Sequence, residues 1–153
     1  MDTVTLKITT ALQVYNSADA AGKKTLEELL GVDFFKRKIT DIVKTFQGAC
    51  MVLNIDPYDA DFATGTSDEI AYKKLKVIAK ALNEGAELSY ANADQKKWYP
   101  WFEYSGSGFR FSASDYDYTF TGTTGGSRLC YKSEELARYA GNQFIELYNQ
   151  LLK

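Results

Sequence analysis

The residues best suited to chemistry in this chain are aromatic rings, and they are crowded together. Trp98, Tyr99, Trp101, Phe102, Tyr104, Phe109, Phe111, Tyr116, Tyr118 and Phe120 fall within one short stretch and make up nearly half of the chain's 2 Trp, 11 Tyr and 9 Phe. Flat π faces stack on nucleobases, nicotinamide or sugar rings, each base contact being worth about 1–3 kcal/mol. Alternation along a strand buries one face of a small sheet, which accounts for about half of these rings as core. It does not account for rings on both parities, such as Trp98 beside Tyr99 and Trp101 beside Phe102. Exposed rings of this kind favour a ligand or partner surface.

A second candidate lies just downstream. Gly122-Thr123-Thr124-Gly125-Gly126-Ser127-Arg128 is a glycine-rich turn whose consecutive N–H groups can form an anion-holding nest, and Lys132 follows four residues after Arg128. An Arg guanidinium grips phosphate bidentately, and Lys132-Ser133 stands at the mouth of a helix, where orphan N–H groups favour an anion. No Gly-Lys-Ser/Thr closes the turn and no GxGxxG is present, so it matches neither phosphate-loop signature. The plainer reading is a hairpin loop followed by a helix cap.

Other constellations fail on spacing. Asp59, Asp61, Asp68 and Glu69 suggest calcium, but Ala63 occupies the third ligand position and Gly65 sits at the seventh rather than the sixth. Asp115 and Asp117 share a strand face with no partner motif and read as solvent-facing. Phe109-Arg110-Phe111 has the alternation of an RNA-binding sheet without basic surroundings. The chain has no histidine, which removes the commonest general base and metal ligand. Ser-His-Asp, Cys-His and HExxH chemistries are therefore excluded. The residues indicate no enzyme, no cofactor and no metal.

The elements that must position these residues divide the chain in two. The first half is helical. Thr10–Ala18 and Lys23–Leu30 have apolar faces, Gly22 interrupts between them, and Gly31 stops the second. Thr45–Leu53 follows, and Ser67 caps a helix whose stripe is Ala71, Leu75, Ile78, Ala79 and Leu82. Val4, Leu6 and Ile8 alternate as a short strand or an extended lead-in. Loops are expected at Asp56–Ser67 and Gly85–Gln95. From Trp98 to Phe120 the chain reads as two or three antiparallel strands with a turn at Ser105–Gly108, and Arg128–Tyr131 reads as a last strand. Ser133 opens a final helix with a wide apolar face from Leu136 to Leu151. The expected fold is α+β: one domain over residues 1–153, N-terminal helices, and a small aromatic-rich antiparallel sheet at about residues 98–131 against a C-terminal helix.

A net charge of −2 gives no bulk attraction to nucleic acid or anionic membranes. The start, MDTVTLKITT, lacks the basic-then-apolar pattern of a secretory signal, and no run reaches the roughly 20 apolar residues of a membrane helix. Cys50 and Cys130 read as two reduced, buried thiols in a cytoplasmic protein.

Four segments carry a family resemblance. ALQVYNSADAAGKKTLEELLG, ITDIVKTFQGAC and IAYKKLKVIAKALNEG, together with the chain from KKWYPWFEY through GSRLCYKS to YAGNQFIELY, resemble a recurrent set of uncharacterised small proteins encoded by phages and prophages of gut Bacteroidales. The resemblance is strongest from Trp98 onward and departs at Phe46–Cys50, where the set is more acidic. It implies a phage-linked accessory role in the bacterial cytoplasm and supplies no catalytic residues. Two functions follow. The first is capture of a small nucleotide-like ligand, such as a host signalling nucleotide, by Trp98, Tyr99, Trp101, Phe102, Arg110, Tyr116, Tyr118, Arg128 and Lys132. The alternative is a protein–protein or virion-associated module that uses the aromatic block as an interface, including a homo-oligomeric one.

Overall fold

The computed structural model describes residues 8–121 and 126–153. Helices α1 (Ile8–Ser17), α2 (Ala20–Leu30), α3 (Val32–Lys36), α4 (Ile39–Ile42), α5 (Phe46–Leu53) and α6 (Ser67–Leu82) come first. Strands β1 (Lys97–Tyr104) and β2 (Phe109–Asp117) follow, then α7 (Glu134–Gln143) and α8 (Ile145–Leu152). Short 3-10 turns lie at Ala60–Phe62 and Ser127–Leu129. The fold is α+β, with one antiparallel hairpin packed on the C-terminal helices.

Helix α6 is the central element. Its Ala71, Leu75, Ile78, Ala79 and Leu82 are buried among α5, α8 and the 3-10 turn at Ser127–Leu129. Burying a Leu or Ile side chain is worth about 1.5–3 kcal/mol, so this stripe fixes where the helix sits. The helix begins one residue earlier than its sequence suggests. Thr66, not Ser67, is the N-cap, and the Glu69 carboxylate accepts from the Thr66 N–H at 2.8 Å in a capping box. The remaining acidic residues nearby are similarly engaged: Asp59 caps the 3-10 turn, and Asp61 pairs with Lys73 at 2.8 Å.

Gly22 does not interrupt the second helix. It lies inside α2, where its N–H donates to the N-cap Asp19 at 2.8 Å. The final helix, expected as one, divides at Phe144, whose ψ of 28° leaves helical values. Both halves still serve one core. The Tyr139 hydroxyl of α7 shares its one proton between the Thr40 and Val43 carbonyls, each at 2.9 Å, while Tyr148 of α8 is buried. Cys50 and Cys130 are free, buried thiols, as their contexts imply.

In the hairpin, Trp98 lies opposite Tyr116 and Pro100 opposite Ser114, and a bulge after Trp101 brings Phe102 opposite Phe111. The strand expected at Arg128–Tyr131 is instead a 3-10 turn ending in a single β-bridge. Trp98 and Tyr131 exchange backbone hydrogen bonds at 2.9 and 2.6 Å on the edge of β1 away from β2. Pro100 has the parity of Trp98, so its missing N–H falls on that same edge. It costs the ladder no bond and blunts the edge against another strand. The strand expected at Val4–Ile8 lies outside the described residues except for Ile8, which opens α1.

Candidate ring-binding cleft

The two parities of the aromatic strand do different work. Trp98, Pro100 and Phe102 belong to the side that packs on the helices: Pro100 and Phe111 close on Gly141 of α7, and Phe102 tilts against Tyr148 of α8 with ring centres 4.6 Å apart. Tyr99 and Trp101 face the other way. Together with the Pro100–Phe102 edge they line a cleft of about 330 Å³, walled by Leu129, Cys130, Tyr148, Leu151 and Leu152, with Asp117 and Thr121 also in its lining. Trp101 is 55% exposed, so much of its ring surface is open to solvent.

Three fixed points hold the cleft's walls. Asn83 at the end of α6 donates from its side-chain amide to the Cys130 carbonyl at 2.9 Å and accepts from the Lys132 N–H at 2.8 Å. The Tyr131 and Tyr148 hydroxyls meet at 3.0 Å, joining that segment to α8. Lys97, fully buried, donates its ammonium protons to the carbonyls of Asn92 at 2.9 Å, Gln95 at 2.6 Å and Tyr118 at 2.6 Å. That ammonium ties the Gly85–Gln95 loop and the end of β2 to the start of β1.

Burial keeps the thiol and the phenols around the cleft protonated at physiological pH. Burial pushes the Cys130 thiol up to about 11. Burial first, and then the Asp117 carboxylate, raises the Tyr99 phenol. Tyr90, whose hydroxyl lies 3.5 Å from Asp117, is raised chiefly by burial as well. A thiol held protonated is a weak nucleophile at neutral pH. Among the described residues, no three His, Cys, Asp or Glu side chains gather as a metal site. What the cleft offers is ring surface, aliphatic wall and one carboxylate acceptor.

These shifts carry a pH dependence. Cys130, Tyr131 and Tyr148 all have raised values in the folded protein, chiefly through burial. Above about pH 9 the unfolded chain releases protons that the native state retains, so stability present below that pH is lost as pH rises toward 11. The urea midpoint should therefore fall between about pH 8 and pH 11, and an unchanged midpoint would contradict the buried, protonated assignment.

The nine residues singled out by sequence separate into several places. Tyr99, Trp101 and Phe102 meet in the cleft. Trp98, Tyr116 and Tyr118 form a second aromatic group, and the Lys96 ammonium stands 5.4 Å from the Trp98 ring and 4.2 Å from that of Tyr116. The Trp98 and Tyr116 rings already engage a cation from their own chain. Arg110 pairs with Glu103 across the hairpin at 3.0 Å, and Lys132 pairs with Glu84 at 2.6 Å. Arg128 lines a different, smaller cleft with Lys76 and Lys80. Gly122–Gly125, the glycine-rich part of the proposed anion nest, lie outside the described residues.

Sequence reasoning missed Leu129, Cys130, Tyr148, Leu151 and Leu152 as cleft walls and placed Asp117 in solvent. Apolar positions at helical spacing signal burial without saying whether a cleft separates them from their neighbours. Compared with known protein families, characterised proteins and solved structures, the chain shows no match.

Proposed function

We propose that the protein is a non-enzymatic binding module that takes a flat ring of the nucleobase class into the cleft beside β1, and that it serves as a phage accessory protein that sequesters a small nucleotide-like ligand. The observation that carries this reading is the Tyr99–Trp101 pair on the wall of a cleft of about 330 Å³, with Trp101 still 55% exposed. A volume of that size lies within the range of small-molecule sites. Leu129, Leu151 and Leu152 supply the apolar walls, and the Asp117 carboxylate is an acceptor for an exocyclic amine or ring N–H. Pro100 on the strand edge disfavours an extended peptide as the occupant.

Native mass spectrometry tests this directly. Freshly purified protein should carry an added few hundred daltons, on the order of one nucleotide, that is lost on denaturation. Trp101→Ala should carry markedly less, because it removes an open ring face worth about 1–3 kcal/mol, a loss of roughly five- to a hundredfold in affinity. A bound molecule retained equally by Trp101→Ala would place the ligand elsewhere.

One observation favours the interface reading beside this one. Tyr104 (60% exposed), Tyr118 (41%) and Phe120 (84%) present ring surface outside the cleft. If that surface is an interface between copies, Phe120→Ser should shift the mass measured by light scattering from a multiple of the 17.2 kDa chain to the single chain. A wild-type protein that is already monomeric at high concentration would end this reading.

A further inference from the structure

The cation-lined cleft at the end of α6 stands apart from the ring cleft. Lys76 and Lys80 are four residues apart and project from the same side of α6, and Arg128 approaches from the 3-10 turn Ser127–Leu129. With Asn83, Ala86 and Leu88 they enclose about 260 Å³, and no carboxylate contributes to the lining. Among the described residues, ion pairs engage Lys24, Lys38, Lys73, Arg110, Lys132 and Arg138, but none of these three cations. The nearby Glu84 carboxylate is committed to Lys132 at 2.6 Å. Lys76 leans over the Tyr72 ring at 5.1 Å, which orients its ammonium without neutralising it.

Three like charges around one concavity repel one another, and an anion seated between them converts that repulsion into attraction. The cleft is also held in shape. Asn83 spans from α6 to Cys130 and Lys132, two and four residues beyond Arg128, so the arginine approaches the lysines from a fixed backbone. We propose that Lys76, Lys80 and Arg128 form a binding site for a small phosphate-bearing anion. Arg128 grips the phosphate oxygens, the two lysines neutralise its charge, and Ala86 and Leu88 give an apolar floor for an organic substituent.

The test is titration of the intact protein with inorganic pyrophosphate, read by calorimetry and by amide shifts, with sulfate and a nucleoside monophosphate in parallel. Saturable one-to-one binding is expected, with shifts centred on Lys76–Leu88 and Arg128. Arg128→Gln and Lys80→Gln should each weaken it about tenfold, while Lys24→Gln, an equal charge change elsewhere, leaves it unchanged. A nucleoside monophosphate tighter than pyrophosphate supports an organic phosphate as the natural occupant, and the reverse order supports inorganic phosphate chemistry. No saturation by about 10 mM pyrophosphate would overturn the proposal, as would an equal loss in Lys24→Gln, or binding only of a long oligonucleotide. Trp101→Ala should bind pyrophosphate normally, so failure of the ring cleft and failure of this site are told apart.

Discussion

Replacing Lys97 by Met is expected to destabilise the protein by about 3 kcal/mol, although Met nearly matches the length of the lysine stem. The ammonium satisfies the carbonyls of Asn92, Gln95 and Tyr118 at 2.6–2.9 Å, and the residue is 0% exposed. Removing the donor strips the Gln95 and Tyr118 carbonyls of this bond and leaves the Asn92 carbonyl with only the Gln95 N–H at 3.3 Å. Each orphaned acceptor costs about 1–3 kcal/mol, and values toward the lower end apply here because part of the loop can rehydrate. The three carbonyls come from the Gly85–Gln95 loop and the end of β2, so the loss should also loosen that loop. Urea denaturation should show a lower midpoint with an unchanged slope, and amide exchange should quicken around Asn92–Gln95. A midpoint within about 0.5 kcal/mol of wild type would show that water replaces the ammonium at little cost.

Gly141→Ala is expected to destabilise by about 2 kcal/mol, against the usual sign for such a change. In an exposed helix the substitution stabilises by about 1 kcal/mol, because glycine is a poor helix former. Here the added Cβ would stand 2.5 Å from Phe111 Cδ2 and 2.8 Å from Pro100 Cβ. The Pro100 ring is rigid and buried, so the hairpin must move away from α7 or Phe111 must leave its rotamer. Overpacking of this kind costs about 1–3 kcal/mol and outweighs the propensity gain. The same contact sets the distance between hairpin and helix, and hence the position of Trp101. A stabilised Gly141→Ala variant, measured by urea midpoint, would mean that the hairpin packs more loosely than these distances state.

The broad architecture was legible because each signal was local. The helix expected at Thr45–Leu53 forms at Phe46–Leu53, Ser133 caps α7 and Gly31 ends α2, and the alternation at Phe109–Phe111 did mark a strand. Cys50 and Cys130 sit in apolar contexts that predicted buried thiols. What stayed hidden was non-local. Lys97 lies in a run of polar residues and gives no sign that three distant carbonyls await it. Arg128–Tyr131 has strand composition, yet only Tyr131 finds a pairing partner, because Asn83 claims the carbonyl and N–H on either side of it.

The candidate site was partly legible for the same reason. Rings on both parities implied that some must lie outside the core: Trp101 is exposed, and Tyr99 is half-buried on the cleft wall. Their partners come from four separate stretches of chain, Tyr99–Phe102, Asp117–Thr121, Leu129–Cys130 and Tyr148–Leu152, none of which forms a motif alone. Arg128 was marked as a phosphate ligand through its own turn, whereas the charges beside it in space belong to α6. Helical spacing put Lys76 and Lys80 on one face, but only the packing of the Ser127–Leu129 turn against α6 brings Arg128 to them.

The ring-binding claim is tested most directly by mapping amide and indole shifts of the labelled protein as adenosine, nicotinamide and indole are added in turn. At least one should produce saturable shifts centred on Tyr99–Phe102, Leu129–Cys130 and Tyr148–Leu152, with the Trp101 indole moving most and the Trp98 indole little. Shifts centred instead on Tyr116–Phe120, or none from any of the three rings, would contradict it.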